Sequence, residues 1–302
     1  MSTPAEPAPG GPRGDEAHRP PLRASELGRA LVRPGGLWRS VDVLAETPST
    51  NSELLERARR GEPGGAVLIA DHQTAGRGRL GRGFATPPRA ALTLSVLVRP
   101  AVPAPGLGWL PLLMGVAAVR ALRAGPGVPA VLKWPNDVLA EDSGLKLAGI
   151  LSEAVFPAAG TGTGGGAAEP DAGAGVVLGI GINVSQRRDE LPVETAASIA
   201  LCGAPGADRR ELAVSLLEEF AALYAAWAAA GGGAAAAGPV REYRAYCSTL
   251  GRRVRAHLPG GGELLGEAVG VDAGGRLEVR DAAGRMQALS AADIVHLRPD
   301  DG

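Results

Sequence analysis

The chain has 302 residues, 45% hydrophobic and 21% charged, with a formal net charge of −1. This length holds one large domain and a smaller one with ample core. The near-neutral charge excludes a general electrostatic attraction to nucleic acid or to an anionic membrane.

Residues 1–21, Pro, Gly, Ala and charge, read as a disordered tail without the apolar stretch of a signal peptide. Leu22 to Val32 has helical periodicity, and Leu37 to Leu44 follows as a strand. Thr50-Asn51-Ser52-Glu53 has capping-box spacing and opens a helix from Glu53 to Arg60, closed at Gly61. Ala66 to Ala70 and Ala91 to Val98 are buried-strand runs, separated by a Gly- and Arg-rich loop from Gln73 to Pro88. Leu107 to Ala124 is a mostly apolar helix, followed by a strand around Val131 to Trp134. No apolar run approaches the ~20 residues that span a bilayer. Lys146 to Phe156 and Val176 to Val184 are expected as adjacent strands, joined by a mobile Ala/Gly connection from Pro157 to Gly175. Arg209 to Ala229 is an amphipathic helix, apolar at Leu212, Leu216, Phe220 and Tyr224, and Val240 to Tyr246 is a last short one. Residues 248–302 are short strands between Gly turns, the texture of a small β-barrel, which leaves 22–247 as the larger domain. Cys202 and Cys247, with no export signal, are expected as reduced thiols in a cytoplasmic protein.

The densest chemical signal is Gly76-Arg77-Gly78-Arg79-Leu80-Gly81-Arg82-Gly83. Its glycines let backbone N–H groups wrap a phosphate or carboxylate, and its arginines add bidentate donors for the same anion. It is neither the Walker nor the Rossmann glycine pattern. A disordered Arg-Gly segment that binds RNA has the same composition. The single copy between two core strands, and an aromatic content of 3%, argue against that reading.

Only two of the 31 basic residues are lysines, Lys133 and Lys146, and the only asparagines are Asn51, Asn136 and Asn183. Lys survives where a compact ammonium is needed and a planar guanidinium would not serve. Lys133-Trp134-Pro135-Asn136-Asp137 ends a strand and turns, so that an ammonium, an amide and a carboxylate share one rim. Asp137 could hold Mg²⁺ beside phosphate oxygens, although Asn-Asp serves an ordinary turn equally well. Lys146 begins a strand at the sheet edge, where it could stabilise charge on an α-phosphate. Gly149, and the glycines of Gly179-Ile180-Gly181-Ile182-Asn183, suit a flat ligand lying against the backbone or a tightly packed sheet.

Ser49-Thr50-Asn51, Gln73 to Arg82, Lys133 to Asp137, Lys146 to Ile150 and Gly179 to Asn183 together resemble biotin protein ligases, in order and spacing, from about residue 40 to 300. The resemblance implies an α+β fold: a mixed sheet with flanking helices, like class II aminoacyl-tRNA synthetases, plus an SH3-like C-terminal β-barrel. It implies that biotin and ATP form biotinyl-5′-AMP, which then acylates a lysine of a biotin carboxyl carrier protein domain. Ser49, Thr50, Asn51 and Gln73 would hold the biotin head group. Gly76, Arg77, Gly78 and Arg79 would follow the acyl tail, with Lys146 and Gly149 beside it. Arg79, Arg82, Lys133, Trp134, Asn136, Lys146 and Asn183 would face ATP, with Asp137 on Mg²⁺ and Lys146, Arg79 and Arg82 at the reacting centre. The glycine content of the Gly76–Gly83 loop raises its ordering cost, so the loop is expected to be disordered when empty and to close over biotin. The roughly 40 residues before the core are too few for the winged helix-turn-helix of bifunctional members, which implies no DNA partner. A monomer or weak homodimer is expected. A lipoate or octanoate ligase shares the fold and is the alternative, as is a biotin-responsive regulator.

Overall fold

The computed structural model describes residues 19–156, 174–232, 237–258, 260–290 and 292–297. The tail and the Ala/Gly connection expected from the sequence lie mostly outside them. Arg19 and Pro20 do not belong to a free tail. Arg19 is 7% exposed and pairs with Glu190 at 2.7 Å, and Arg209 donates to the Pro20 carbonyl.

Seven strands form one mixed sheet: β1 (Ser40–Leu44), β2 (Ala66–Ala70), β3 (Ala91–Val98), β4 (Ala130–Lys133), β5 (Asp137–Ala140), β6 (Lys146–Val155) and β7 (Gly175–Asn183). Their order is β1-β2-β3-β7-β6-β5-β4, with β1 parallel to β2 and every other neighbour antiparallel. The long apolar runs at β3 and β7 lie at its centre. The strand expected from Leu37 begins at Ser40, because Trp38 turns into the helical layer and donates its indole N–H to Leu217. Asp137, expected in a turn with Pro135 and Asn136, opens a strand over Asp137–Ala140 that is paired on both sides and that the sequence reading does not contain.

Strand periodicity divides the core. Leu92, Leu94, Val96 and Val98 of β3, with Leu178, Ile180 and Ile182 of β7, pack on α1 (Ala24–Leu31), α3 (Leu110–Ala124), α4 (Arg209–Ala229) and α5 (Ala237–Tyr246). A smaller cluster of Leu54, Leu55, Ala58, Ala66, Leu68, Leu97, Val155 and Val177 seats α2 (Thr50–Arg59) on the opposite face. Because α2 covers only one end of that face, the rest of it is left open.

Four helix starts differ from the sequence reading: α1 begins at Ala24 and not Leu22, α5 at Ala237 and not Val240, and α2 and α3 differ for reasons visible at their ends. The cap of α2 is Ser49, whose hydroxyl accepts from the Ser52 N–H, so Thr50 and Asn51 lie in the first turn. A 3₁₀ turn over Ala104–Trp109 precedes α3, which starts at Leu110 where Pro111, lacking an N–H, fits the first turn. Ala104–Ala124 and Arg209–Ala229, each 21 residues, are long and apolar enough to cross a membrane, contrary to the sequence reading. In the fold they are packed elements that carry Leu112, Val116, Leu216 and Phe220 into the core.

The C-terminal strands, β8 (Arg253–His257), β9 (Glu263–Val271), β10 (Leu277–Arg280), β11 (Met286–Leu289) and β12 (Asp293–His296), form a second, antiparallel sheet in the order β11-β10-β9-β8-β12. It is tied to the first at Trp134. The Trp134 backbone N–H donates to Thr249 Oγ1 at 3.1 Å and its indole N–H to the Gly275 carbonyl at 3.1 Å. Cys202 and Cys247 are both free thiols.

Candidate functional site

The open part of the sheet floors a cavity of about 850 Å³. Its floor includes alternate residues of two strands, Gly149 and Leu151 of β6 and Gly179 and Gly181 of β7; Thr93 and Ser95 of β3 continue the same rows across the ladder and are buried. Two of the glycines are required by what lies on them. A Cβ at position 179 would stand 2.1 Å from Asn51 Oδ1, and one at 181 would stand 2.6 Å from the Phe84 ring. The strand face read as a bed for a flat ligand is therefore occupied here by the chain's own side chains.

One end of the cavity is a hydrogen-bond cluster at the start of α2. Gln73 Oε1 accepts from the Thr50 backbone N–H at 2.8 Å and lies 3.0 Å from the Thr50 hydroxyl. Ser95 Oγ lies 2.8 Å from the same hydroxyl and 2.6 Å from Asn51 Oδ1. Asn51 Nδ2 donates to Glu153 at 2.9 Å. Ser49, Thr50, Asn51 and Ser95 are buried, so each polar atom needs such partners.

The Gly-Arg loop forms one wall. It folds back on itself through Phe84 N–H to the Gly76 carbonyl and Gly78 N–H to the Arg82 carbonyl, around a 3₁₀ turn at Arg79–Gly81. Arg77, Gly78, Arg79, Arg82 and Gly83 line the cavity, and Gly76 lines an adjoining one. Arg79 crosses to the opposite wall, where its guanidinium donates to Asn136 Oδ1 at 3.2 Å. Asn136 is held by Ile150 of β6, donating to its carbonyl and accepting its N–H, both at 2.9 Å.

Lys146 and Asp137 meet at the rim, Nζ to Oδ1 2.5 Å, both partly exposed. The register pairs Asp137 with Gly149 and Lys146 with Leu139, so the Lys146 side chain reaches over Gly149 to meet Asp137. The Lys146 backbone is clamped by the Thr195 carbonyl and the Ala197 N–H. The sequence reading set Lys146 against an anion and Asp137 against a metal; in the structure they pair with each other.

Two residues expected to face ATP, Trp134 and Asn183, line the cavity and are also hydrogen-bonded within the protein. Trp134 is 2% exposed and spends its N–H on Gly275, which makes it a tie between the sheets. Asn183 is buried with Nδ2 on the Ala197 carbonyl and Oδ1 accepting from Gln186, so both ends of its amide are used within the protein. Lys133 lines the cavity near His296, whose pKa is pushed down to about 4, first by burial and then by Lys133 and Arg252. Among the described residues no three His, Cys, Asp or Glu side chains gather as a metal site.

Phe84, Ser95, Glu153, His257, Ile294 and Val295 were not singled out from the sequence, yet all border this region. Ser95 carried a signal: Thr93 and Ser95 are the only polar residues in β3 and share one face of it. His257, Ile294 and Val295 reach the rim from the second sheet, which no local pattern could announce.

Residues 43–164 match the biotin/lipoate A/B protein ligase family, and residues 249–297 match the biotin protein ligase C-terminal domain. The chain is 44% identical to the biotin–[acetyl-CoA-carboxylase] ligase of Mycobacterium tuberculosis over 93% of this chain and 97% of that one. It is 31% identical to the bifunctional ligase/repressor of Bacillus subtilis over 84% of this chain and 72% of that one. The biotin protein ligase of Aquifex aeolicus in complex with biotin and ATP superposes with a TM-score of 0.65 and 26% identity, covering 86% of this chain and all of that one.

Proposed function

The chain belongs to the biotin protein ligases, and on that premise we propose how its own residues divide the work of an ATP-dependent ligase that joins biotin to a carrier protein. The observation that carries the assignment is one cavity in which a buried hydroxyl–amide cluster, a glycine floor and the cations Arg79 and Lys146 converge. That is the donor set for a molecule with a polar head, an apolar body and an anionic tail.

Thr50, Gln73 and Asn51 hold the biotin head group at the start of α2, with Ser49 capping the helix that presents them. The acyl tail runs along Gly76 to Arg79 toward Lys146 and Gly149. The carboxylate then lies where Arg79 and Lys146 can draw in the α-phosphate of ATP. Holding the two reactants together makes their encounter intramolecular. The carboxylate oxygen attacks phosphorus, pyrophosphate leaves, and negative charge on the phosphoryl oxygens is offset by Lys146, Arg79 and Arg82. In the second half-reaction a carrier lysine attacks the acyl carbon and AMP leaves; we propose that this lysine belongs to a biotin carboxyl carrier domain.

Lys146 must exchange Asp137 for the incoming anions, a shift of partner that a slender ammonium makes with little rearrangement. Asp137 is then released at the rim. A lone carboxylate fits Mg²⁺ as one ligand beside phosphate oxygens and water, not as a protein cage. The metal would there offset charge on the pyrophosphate.

The Gly-Arg loop closes over bound biotin and keeps water from the adenylate. The test of the whole assignment is ATP–pyrophosphate exchange with biotin, with lipoate and with neither. Exchange that depends on biotin supports it; exchange with lipoate in place of biotin assigns the alternative ligase.

A further inference from the structure

We infer that Glu153 is a positioning residue for the head-group pocket, acting through Asn51 and Ser95 to keep Thr50 a hydrogen-bond acceptor. The inference rests on the biotin-ligase reading above, and it follows from counting protons along one chain of contacts.

Glu153 Oε2 lies 2.9 Å from Asn51 Nδ2, and the Leu151 carbonyl lies 3.4 Å from the same atom. A carboxylate and a carbonyl can only accept, so they fix which end of the Asn51 amide is the NH₂. The other end, Oδ1, must face Ser95, whose oxygen is 2.6 Å away. Two oxygens so close require a proton between them, and an amide oxygen has none to give. The single Ser95 proton is therefore committed to Asn51.

Ser95 then has only lone pairs left for Thr50, 2.8 Å away, while Gln73 Oε1 offers another acceptor at 3.0 Å. Whichever takes the Thr50 proton, it stays inside the protein, and Thr50 turns lone pairs to the cavity. That is what an N–H of the biotin ureido ring requires.

Were Asn51 to turn over, its NH₂ would face Ser95. The Ser95 proton would swing onto Thr50 and occupy one of the two lone pairs that Thr50 otherwise offers the ligand. Glu153, at 2.9 Å the closer of the two acceptors on Asn51 Nδ2, with the Leu151 carbonyl at 3.4 Å, is the main barrier to this, and Gly179 leaves the space in which Asn51 lies. No other residue on β6 offers a side-chain acceptor to Asn51 among the described contacts.

The test uses the full chain and biotin-dependent ATP–pyrophosphate exchange. Glu153→Met keeps the bulk and removes the acceptor: the KM for biotin rises about tenfold, while kcat and the KM for ATP stay within about threefold. Glu153→Gln keeps an acceptor oxygen and holds the biotin KM within about twofold of the parent. In a Ser95→Ala background the chain is already cut, so Glu153→Met adds nothing further. Ser95→Ala alone, which leaves Glu153 untouched, raises the biotin KM about threefold and serves if the Met variant does not fold.

A Met variant with the parental biotin KM overturns the inference. So does a Gln variant as impaired as Met, a Met penalty undiminished by Ser95→Ala, or a Ser95→Ala chain with unaltered KM. Absence of biotin-dependent exchange in the parent chain would instead overturn the ligase reading itself.

Discussion

The two faces of the large sheet come from the same strands, one residue apart, and they are built for different ends. In β3 and β7 the even-numbered residues Leu92, Leu94, Val96, Leu178, Ile180 and Ile182 are apolar and buried under helices. The odd-numbered residues Thr93, Ser95, Gly179, Gly181 and Asn183 are small or polar; Gly179, Gly181 and Asn183 line the cavity, and Thr93 and Ser95 lie buried in the same rows. The covered face gains stability from area removed from water; the open face gives up that gain to keep space and hydrogen-bonding groups. Stability and recognition are thus separated by the period of a strand, with no need for separate domains.

The sharpest way to break the comparison is at the rim of the open face. Lys146→Arg should lower biotin-dependent pyrophosphate exchange by about 10²–10³-fold, because a forked cation cannot take the ammonium's place between two anions. Its thermal midpoint should stay within about 3 °C of the parent, since the Lys146–Asp137 pair is partly exposed. An unchanged exchange rate would remove Lys146 from the chemistry. On the covered face, Leu178→Ala should cost about 2–5 kcal/mol in urea unfolding while the KM values of the folded fraction stay put. One residue along, Gly179→Ala should do the reverse. A methyl group 2.1 Å from Asn51 Oδ1 must displace that side chain, so the biotin KM rises about tenfold with a smaller loss of stability. If both neighbours lose stability alike and neither changes KM, the division between faces fails.

The smallest effect is expected at the junction of the two sheets. His296 has a folded pKa of about 4 against an ordinary 6.5, so the unfolded chain takes up its proton first. Its contribution is therefore complete above pH 6.5 and is lost as pH falls toward 4. His296→Gln, neutral throughout, should flatten the fall of the thermal midpoint across that window by about 2–4 °C. An identical profile for parent and variant would mean that the histidine titrates freely.

Much of this molecule was legible in its sequence, for local reasons. The buried runs at β2, β3 and β7, the long α4 and the short C-terminal strands carry their own period, and the Gly-Arg loop its own composition. The turn and strand at Asp137–Ala140 were blended because four residues after a Pro-Asn turn offer too short a period to separate them. The cap was placed at Thr50 instead of Ser49 because both hydroxyls precede an acidic residue, and only geometry selects the one that reaches Ser52 N–H. What could not be read was partnership across the fold: Lys146 with Asp137, Asn183 with Ala197 and Gln186, and Glu153 with Asn51. Residues that meet only after folding leave no mark on their neighbours in the chain.

Trp134 sits one residue after Lys133 and two before Asn136, with its indole and its backbone N–H both anchored in the C-terminal segment. The small sheet therefore grips the rim turn as a handle grips a lever. Loosening either hydrogen bond of Trp134 would therefore reach the turn that holds Asn136 against Arg79.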